Sequence, residues 1–222
     1  MRIEDVSFSD PQQNIAFDEN LLRLADKQGA GPGPVVRFWE SPRVFIVVGR
    51  IGKIEEDVRL KEAEADGVPI LRRASGGGTV VQGPGCLNYA LILSKTQYPV
   101  LNDLRKSYEW ISGKVIAALG PLGVKALFRP TSDIVLAGSE KKFSGNAQKR
   151  GKNHILHHGT ILYDFDLSLI TRYLTMPKDV PEYRKGRSHA DFVTNISIDP
   201  AAFKANLRHE IGLTNKMDLN IL

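Results

Sequence analysis

The stretch RRASGGGTVVQGPGCLNYALILS, residues 72–94, sets three consecutive glycines between two arginines and a β-branched run. The segments VPILRRA and GTVVQ predict two strands joined by the glycine loop, and LNYALILS predicts a further strand. In that last strand the apolar side chains that share one face are Leu87, Tyr89, Leu91 and Leu93. The stretch therefore predicts sheet structure on both sides of a loop whose backbone is unusually free.

The glycine loop, SGGGT at residues 75–79, could be a tight hairpin turn or an anion site. Its spacing matches neither a P-loop nor the dinucleotide-binding motif G-x-G-x-x-G. Backbone N–H groups in such a loop can converge on an anion, and the adjacent Arg72 and Arg73 add positive charge where a phosphate would bind. Because side chains alternate along a strand, we expect only one of the two arginines to reach that site.

Upstream of this stretch, the sequence predicts a long helix and a strand hairpin. The helix begins at Pro11, with Asp10 as its N-cap, and ends at Gly29. Two β-branched runs follow at residues 35–40 and 44–49, and the Ser-Pro-Arg between them predicts a hairpin connection.

Downstream, the clearest helix is NDLRKSYEWISGKVIAALGPLG. Its predicted apolar stripe consists of Leu104, Tyr108, Ile111, Val115 and Ala118. Shorter helices are predicted at residues 55–67, 167–174 and 200–211, and further strands at VKALFRP, DIVLAG, KKFSGNAQ and HILHHGTILYDF. Strands in hairpins with peripheral helices predict an α+β (mixed α/β) fold.

The composition is that of an ordinary globular protein, with 42% hydrophobic and 25% charged residues among 222. A single cysteine excludes an internal disulfide framework and a cysteine-based zinc site. The charged N-terminus and the lack of a long apolar run predict a cytoplasmic protein without a membrane span. The net charge of +5 favours an anionic partner, but the densest basic run holds only one aromatic residue, Phe143, so nucleic-acid binding is a minor alternative.

Two further clusters carry side chains suited to chemistry. In SDIVLAGSEKKFSGNAQKR, Lys142 could be a fixed cation aimed at a carboxylate or phosphate, or one solvated lysine among several. Asp133 could hold Mg²⁺ on a nucleotide, or cap a turn. In HILHHGT, His157 and His158 face opposite ways in a strand and no further ligands follow at a suitable spacing. We therefore reject a metal site there and expect one histidine to hydrogen-bond a neighbour or ligand.

Read in order, the motifs VVGR, RRASGGGTVVQGPGCLNYALIL, KKFSGNAQKR and HHGTILYDFDLSLITRYL resemble the lipoate–protein ligase family. That family is related to biotin–protein ligases and octanoyltransferases. The resemblance implies a catalytic domain with a central mixed β-sheet flanked by helices. It also implies an activity in which lipoate (or octanoate) and ATP, with Mg²⁺, form an acyl-adenylate. The acyl group then passes to a lysine of a lipoyl-domain or glycine-cleavage-H-type carrier protein.

The resemblance also assigns roles to residues. Lys142 would be the catalytic lysine, bridging the carboxyl and phosphate oxygens, and Asp133 would lie near the phosphates and the metal. The residues implied to bind the substrate or adenylate are Arg73, Ser75, Gly76, Gly77, Gly78, Thr79, Val80, Gln82, Asn88, Asp133, Gly145, Ala147, His158 and Thr160. Val80, Leu87 and Tyr89 would line an apolar tunnel for the acyl chain.

This sequence departs from the family pattern in three respects. Gln82 stands where the family usually has a histidine, and Ser132 where an asparagine is common. Only a short segment follows Ile196, so we expect residues 1–222 to form a single catalytic domain without a C-terminal accessory domain. A small accessory ligase subunit could supply that domain, the protein could perform only the transfer step, or it could act without such a domain.

Cys86 suggests an alternative reaction, acyl transfer through a thioester, because octanoyltransferases of this superfamily form a thioester on a cysteine. Their cysteine lies elsewhere in the sequence, and free cysteines are most often small buried side chains. We therefore expect Cys86 to be a packing residue and retain its role as an alternative nucleophile as a second hypothesis. A non-catalytic homologue is the third.

Overall fold

The structure is a computed structural model that describes residues 1–28, 33–178 and 180–217, with side chains in the last helix described as far as residue 212. Its strands are β1 (Arg2–Asp5), β2 (Val35–Trp39), β3 (Phe45–Val48), β4 (Ile70–Arg72), β5 (Val80–Gln82), β6 (Cys86–Ser94), β7 (Ala126–Arg129), β8 (Asp133–Leu136), β9 (Lys142–Arg150) and β10 (His154–Leu162). Its α-helices are α1 (Pro11–Lys27), α2 (Ile54–Asp57), α3 (Leu60–Ala65), α4 (Leu104–Leu119), α5 (Ser168–Tyr173), α6 (His189–Phe192) and α7 (Pro200–Met217).

The strands form two mixed sheets. The larger sheet has the order β1-β2-β6-β10-β9-β8-β7 and the smaller one the order β4-β3-β5. Only β1–β2 and β3–β4 pair in parallel among the described strands, and the other ladders are antiparallel. This architecture confirms the predicted mixed α/β class with a central sheet flanked by helices.

Strand β6 lies inside the large sheet, between β2 and β10, and is buried along its whole length. As predicted, Leu87, Tyr89, Leu91 and Leu93 share one face, and they pack in the main core with apolar side chains of α4 and α7. Ala90 and Ile92 face the other way, toward α1. Helices therefore cover both faces of the sheet, which explains why β6 is a continuous apolar run.

The first helix begins where the sequence predicts. Asp10 has an extended backbone, and its carboxylate accepts a hydrogen bond from the backbone N–H of Gln12 at 3.0 Å. Pro11 occupies the first helical turn, where its missing N–H costs nothing. Gly29, the predicted end of the helix, lies outside the described residues.

The predicted hairpin between β2 and β3 is wrong, and so is the alternative of a hairpin turn in the glycine loop. Strands β2 and β3 do not form a hairpin, because β2 pairs with β1 and β6 in the large sheet while β3 belongs to the small one. Strands β4 and β5, which flank the glycine loop, do not pair with each other, since both pair with β3. Apolar β3 is buried on both faces and pairs with two strands from later in the chain.

Three helix and strand predictions also need correction. The helix predicted at residues 55–67 is two helices, because the buried Val58 between them bridges to Leu174. Leu104 does not belong to the buried stripe of α4 and is half exposed at the start of the helix. Strand β1 was not predicted, since this short, mostly exposed edge strand has no apolar period.

Among the described helices, none is both long and apolar enough to cross a lipid bilayer.

Candidate active site

A cavity of about 360 Å³ opens between the two sheets. The predicted site residues that line it are Arg73, Gly77, Gly78, Thr79, Val80, Gln82, Asn88, Asp133, Lys142, Gly145, Ala147, His158 and Thr160. Ser75, Gly76 and Cys86 do not line it. The sequence motifs that lie far apart in the chain therefore converge on one concave surface.

Arg73 holds the glycine loop from within. Its guanidinium is buried and donates to the carbonyl oxygens of Gly76 at 2.7 Å and Gly78 at 2.8 Å, and to Val47 O at 3.3 Å. Its Nε donates to the Ser75 hydroxyl at 3.0 Å. The sequence predicts that Arg73 adds charge directly at a bound phosphate, whereas most of its donors are used by the loop. Its charge lies behind the loop backbone.

The side of the loop backbone that does not face Arg73 is directed toward the cavity. The carbonyls of Gly76 and Gly78 face Arg73, and in each trans peptide the N–H of the following residue points the opposite way. The N–H groups of Gly77 and Thr79 therefore turn away from Arg73, and they have no acceptor among the described residues. Gly77 has φ of +87°, and a Cβ there would lie 2.9 Å from Arg73 Nη2. A Cβ on Gly49 would lie 1.9 Å from Gly77 O, so the loop packs directly on this second glycine. The result is a set of N–H donors backed by a buried cation, which suits an anion.

Arg72 serves the outer side of the same loop region, as strand alternation predicts. Its Nη1 donates to the carbonyls of Gly49 at 2.8 Å and Gly52 at 2.9 Å, and the side chain does not line the cavity. Only one of the two adjacent arginines therefore reaches the cavity.

Lys142 and Asp133 form an ion pair at the cavity wall, with Nζ 2.7 Å from Oδ1. The other carboxylate oxygen of Asp133 accepts a hydrogen bond from the Tyr183 hydroxyl at 2.6 Å. Gly145 leaves room for the lysine, since a Cβ there would lie 3.0 Å from Nζ. Within the described part of the chain, no group of three or more His, Cys, Asp or Glu side chains is placed to hold a metal ion.

The two adjacent histidines of β10 point to opposite faces of the sheet. His158 lines the cavity and its Nε2 lies 2.7 Å from the Ser75 hydroxyl, which ties β10 to the glycine loop. His157 is fully buried and contacts Asn146 on the other face. Burial lowers the pKa of His157 to about 3, so this imidazole is neutral in the folded protein.

A chain of hydrogen bonds crosses the cavity wall from β6 to β5. The Asn88 amide donates to Cys86 O at 3.2 Å, Thr160 donates to Asn88 Oδ1 at 2.7 Å, and Gln82 Nε2 donates to Thr160 Oγ1 at 2.7 Å. The backbone carbonyl of Cys86 can only accept, so it fixes the direction of every bond. Gln82 Oε1 is consequently left buried without a partner among the described residues.

The rest of the cavity wall is largely apolar, and the sequence did not predict most of it. Of the residues predicted for an acyl tunnel, Val80 and Tyr89 line the cavity, whereas Leu87 lies in the core. The unpredicted apolar lining residues include Ile15, Trp39, Val47, Ile170, Leu174, Phe192 and Val193. Those on α1 and β2 occupy periodic apolar positions that could have indicated them, whereas those near α6 lie in short irregular elements.

A buried ion pair lies beside this apolar part. Asp18 lines the cavity, and its carboxylate accepts from Arg37 at 2.6 Å and from the Trp39 indole at 3.2 Å. Burial raises the pKa of Asp18 to about 6, against the opposing effect of Arg37. In the sequence, Arg37 is the one charged residue of the apolar strand β2, whereas Asp18 is one of several charged residues of α1.

Cys86 lies in the core beneath β5, packed with Val81 and Phe165. Its side chain is fully buried, and burial raises the pKa of the thiol. A thiol that is buried and protonated has the properties of a packing residue, not of an activated nucleophile.

The glycine loop, the lysine–carboxylate pair and the apolar wall share one cavity, whose polar part suits an anionic group and whose apolar part suits an aliphatic chain. The chain matches the family model of the lipoyl protein ligase A/B catalytic domain over residues 10–208. The protein therefore belongs to the lipoyl protein ligase A/B family and contains its catalytic domain.

Sequence relatives include both ligases and transferases. The chain is 36% identical to the probable lipoate-protein ligase A of Mycoplasma pneumoniae over 168 residues, which are 76% of this chain and 47% of that protein. It is 27% identical to octanoyltransferase LipM of Brevibacillus brevis over 221 residues, covering 89% of this chain and 79% of that protein. The chain thus spans about half the length of the Mycoplasma ligase.

Solved structures with this fold include two lipoate–protein ligases. A bi-partite lipoate protein ligase from Thermoplasma acidophilum, solved in a study with its E2 lipoyl domain, has a TM-score of 0.76 at 23% identity, covering 96% of this chain and 82% of that one. A lipoate-protein ligase A bound with ATP has a TM-score of 0.80 at 24% identity, covering 96% and 84%. At these identities the likeness establishes the fold.

Proposed function

We propose that the protein is an ATP-dependent lipoate–protein ligase that forms a lipoyl- or octanoyl-adenylate and transfers the acyl group to a lysine of a carrier domain. The observation that carries the proposal is the pairing of free glycine-loop N–H groups with Lys142 in one cavity that also has an apolar wall. An acyl-adenylate has a matching anionic phosphate and aliphatic chain.

In the first step, a carboxylate oxygen of the acid attacks the α-phosphorus of ATP, and pyrophosphate leaves. Both reacting groups are anionic, so positive charge and aimed N–H groups reduce their repulsion. We assign that role to Lys142 and to the loop N–H groups, with Arg73 and Ser75 holding the loop in place. In the second step, the carrier's lysine amine attacks the acyl carbonyl, and AMP leaves.

Mg²⁺ would enter with ATP. Nucleotide sites commonly hold this ion by the substrate phosphates and one or two carboxylates. We assign this role to Asp133, whose oxygens already accept from Lys142 and Tyr183. We therefore propose that the phosphates supply most of the ligands and that Asp133 contributes weakly.

The proposed macromolecular partner is a lipoyl-domain or glycine-cleavage-H-type carrier protein. We further propose that residues 1–222 act as one catalytic domain and that a small accessory subunit assists adenylation. The bi-partite ligase from Thermoplasma acidophilum and its E2 lipoyl domain support both partners.

A second candidate is an octanoyl or lipoyl transferase that works through a thioester without ATP. The octanoyltransferase from Brevibacillus brevis supports it, because this chain covers most of that protein. The burial of Cys86 opposes it, because the sequence has no other cysteine to carry the thioester.

The test is pyrophosphate release from ATP and lipoate by the purified protein, followed by acyl transfer to a lipoyl domain. We expect Lys142→Ala to lower the rate about 10³-fold. Lys149→Ala, on the same strand but outside the cavity, is the matched control and should keep full activity. Cys86→Ala should also keep it.

Different failures identify different alternatives. ATP-independent transfer that is lost in folded Cys86→Ala would establish the thioester route. Transfer from synthetic lipoyl-adenylate without pyrophosphate release would show that an accessory subunit is needed for the first step. A folded protein inactive in all three assays would contradict the proposed function.

A further inference from the structure

A buried hydrogen-bond chain starts on the face of the sheet opposite His158 and ends at Asn146 and Ser132, which line the cavity. Gln148 Nε2 lies 3.1 Å from His157 Nδ1, and His157 Nε2 lies 3.2 Å from Asn146 Oδ1. Asn146 Nδ2 donates to Ser132 O at 2.9 Å. His157 is completely buried, and Asn146 and Gln148 are nearly so.

The direction of each bond in this chain is fixed by Arg150, which can only donate. Its Nη1 donates to Gln148 Oε1 at 3.1 Å, so the Gln148 amide must donate to His157 Nδ1. The proton of the neutral His157 ring is then on Nε2 and is donated to Asn146 Oδ1. This leaves the Asn146 NH₂ to donate to Ser132 O.

The chain ends one residue from the ion pair of the cavity. Ser132 O accepts from both the backbone N–H and the side-chain amide of Asn146, at 3.0 and 2.9 Å. The next residue is Asp133, whose Oδ1 holds Lys142 Nζ at 2.7 Å. Two bonds from one asparagine thus fix the backbone that carries the partner of the proposed catalytic lysine.

We infer that Asn146 and His157 are positioning residues that place Asp133, and through it Lys142, for acyl transfer. The inference rests on the proposed function for the role of Lys142, but the placement itself can be measured without substrates. A displacement of about 1 Å at a reacting group can reduce a rate about 10²-fold, so this support has consequences for catalysis.

The variants His157→Gln and His157→Asn separate positioning from packing. Both remove the ring contacts with Tyr89 and Tyr108. The glutamine amide nitrogen extends as far from Cβ as Nε2 and can still donate to Asn146, whereas the asparagine amide reaches only the place of Nδ1. His154→Asn is the control, since this buried histidine contacts Asp26, far from the ion pair.

The first measurement is the rate at which an amine-reactive reagent, added in trace amount, modifies Lys142 in the ligand-free protein. Mass spectrometry follows the modification. We expect His157→Asn and Asn146→Ala to raise this rate toward that of Asp133→Asn, whereas His157→Gln and His154→Asn stay near wild type. Unchanged labelling in folded Asn146→Ala, or equal labelling in the His157 glutamine and asparagine variants, would overturn the inference.

The second measurement is kcat for acyl transfer in a double-mutant cycle. We expect His157→Asn to lower kcat about tenfold, with little change in KM, and to have no further effect in an Asp133→Asn background. Additive losses would overturn the inference, because His157 would then not act through Asp133. A wild-type protein without activity would contradict the proposed function alone, since the labelling result does not depend on it.

Discussion

Strand β10 carries a hydrogen-bond chain on each face, and the two chains end differently. On the core face, the chain from Arg150 through Gln148, His157 and Asn146 closes on the carbonyl of Ser132. On the cavity face, the chain from Cys86 O through Asn88 and Thr160 stops at Gln82, whose Oε1 has no partner within the described ranges.

The difference indicates which side of the strand is complete without a ligand. A buried acceptor without a donor costs about 1–3 kcal/mol. The hydrogen-bond chain that stops at Gln82, here called the open chain, therefore lowers the stability of the protein. The hydrogen-bond chain that ends on Ser132 O, the closed chain, has no such cost, and it supports the backbone around Asp133. One strand thus combines a rigid support on one face with a buried acceptor beside the cavity on the other.

The largest expected effect comes from breaking the closed chain at Gly159. A Cβ there would lie 2.0 Å from Asn146 Oδ1 and 2.6 Å from the Tyr89 hydroxyl. Gly159→Ala would therefore separate two buried groups that are hydrogen-bonded across the glycine. We expect the free energy of unfolding to fall by about 3 kcal/mol, measured by urea titration.

Gly113→Ala is the control for this substitution. Gly113 lies within α4, and a Cβ added there would meet no atom within 4 Å outside the backbone of its own helix. Alanine should therefore raise the stability by about 0.5–1 kcal/mol through helix propensity. A Gly159→Ala protein as stable as wild type would show that the closed chain is not a rigid support.

The second expected effect is on the pH dependence of stability, because the closed chain contains a titratable histidine and the open chain does not. His157 has a pKa of about 3 in the folded protein and about 6.5 when unfolded, so between these values the unfolded chain binds more protons. Stability is therefore lost as the pH falls through this window, by up to about 1.4 kcal/mol per pH unit from His157. Asp18 opposes the trend, since its raised pKa makes the folded state bind more protons between 3.8 and about 6.

The contribution of His157 is obtained by difference. We expect His157→Gln to have a shallower dependence of unfolding free energy on pH than wild type, whereas Thr160→Val in the open chain should keep the wild-type slope. Parallel curves for His157→Gln and wild type would mean that His157 titrates normally in the folded protein.

Much of the site could be predicted because its residues belong to motifs with a local meaning. The cavity is lined by Gly77, Gly78, Lys142 and His158, as their motifs indicate. The core-face support was missed, although Asn146 and Gln148 give a signal: polar residues two apart on a strand must have buried partners. Tyr183 offers no such signal, because it lies in a short 3-10 turn without periodicity.

The fold was predictable to the same extent. Elements with a clear period and caps, such as α1 and α4, were found, because side-chain spacing and capping are local properties. Strand partners were not, since β3 pairs with β4 and β5 only when the whole small sheet assembles. Pairing depends on contacts distant in sequence, and proximity along the chain misassigned β2 to β3.

The smallest expected effect on stability comes from the open chain. Gln82→Met removes the unpartnered acceptor and one hydrogen bond to Thr160 while keeping the side-chain length. The two changes oppose each other, so the free energy of unfolding should change by less than about 1 kcal/mol. Binding of ATP, measured by calorimetry, should weaken by up to about tenfold, since a donor group of the nucleotide then has no Gln82 oxygen to accept its hydrogen bond. A large loss of stability with unchanged ATP affinity would mean that the open chain serves the fold and not the ligand.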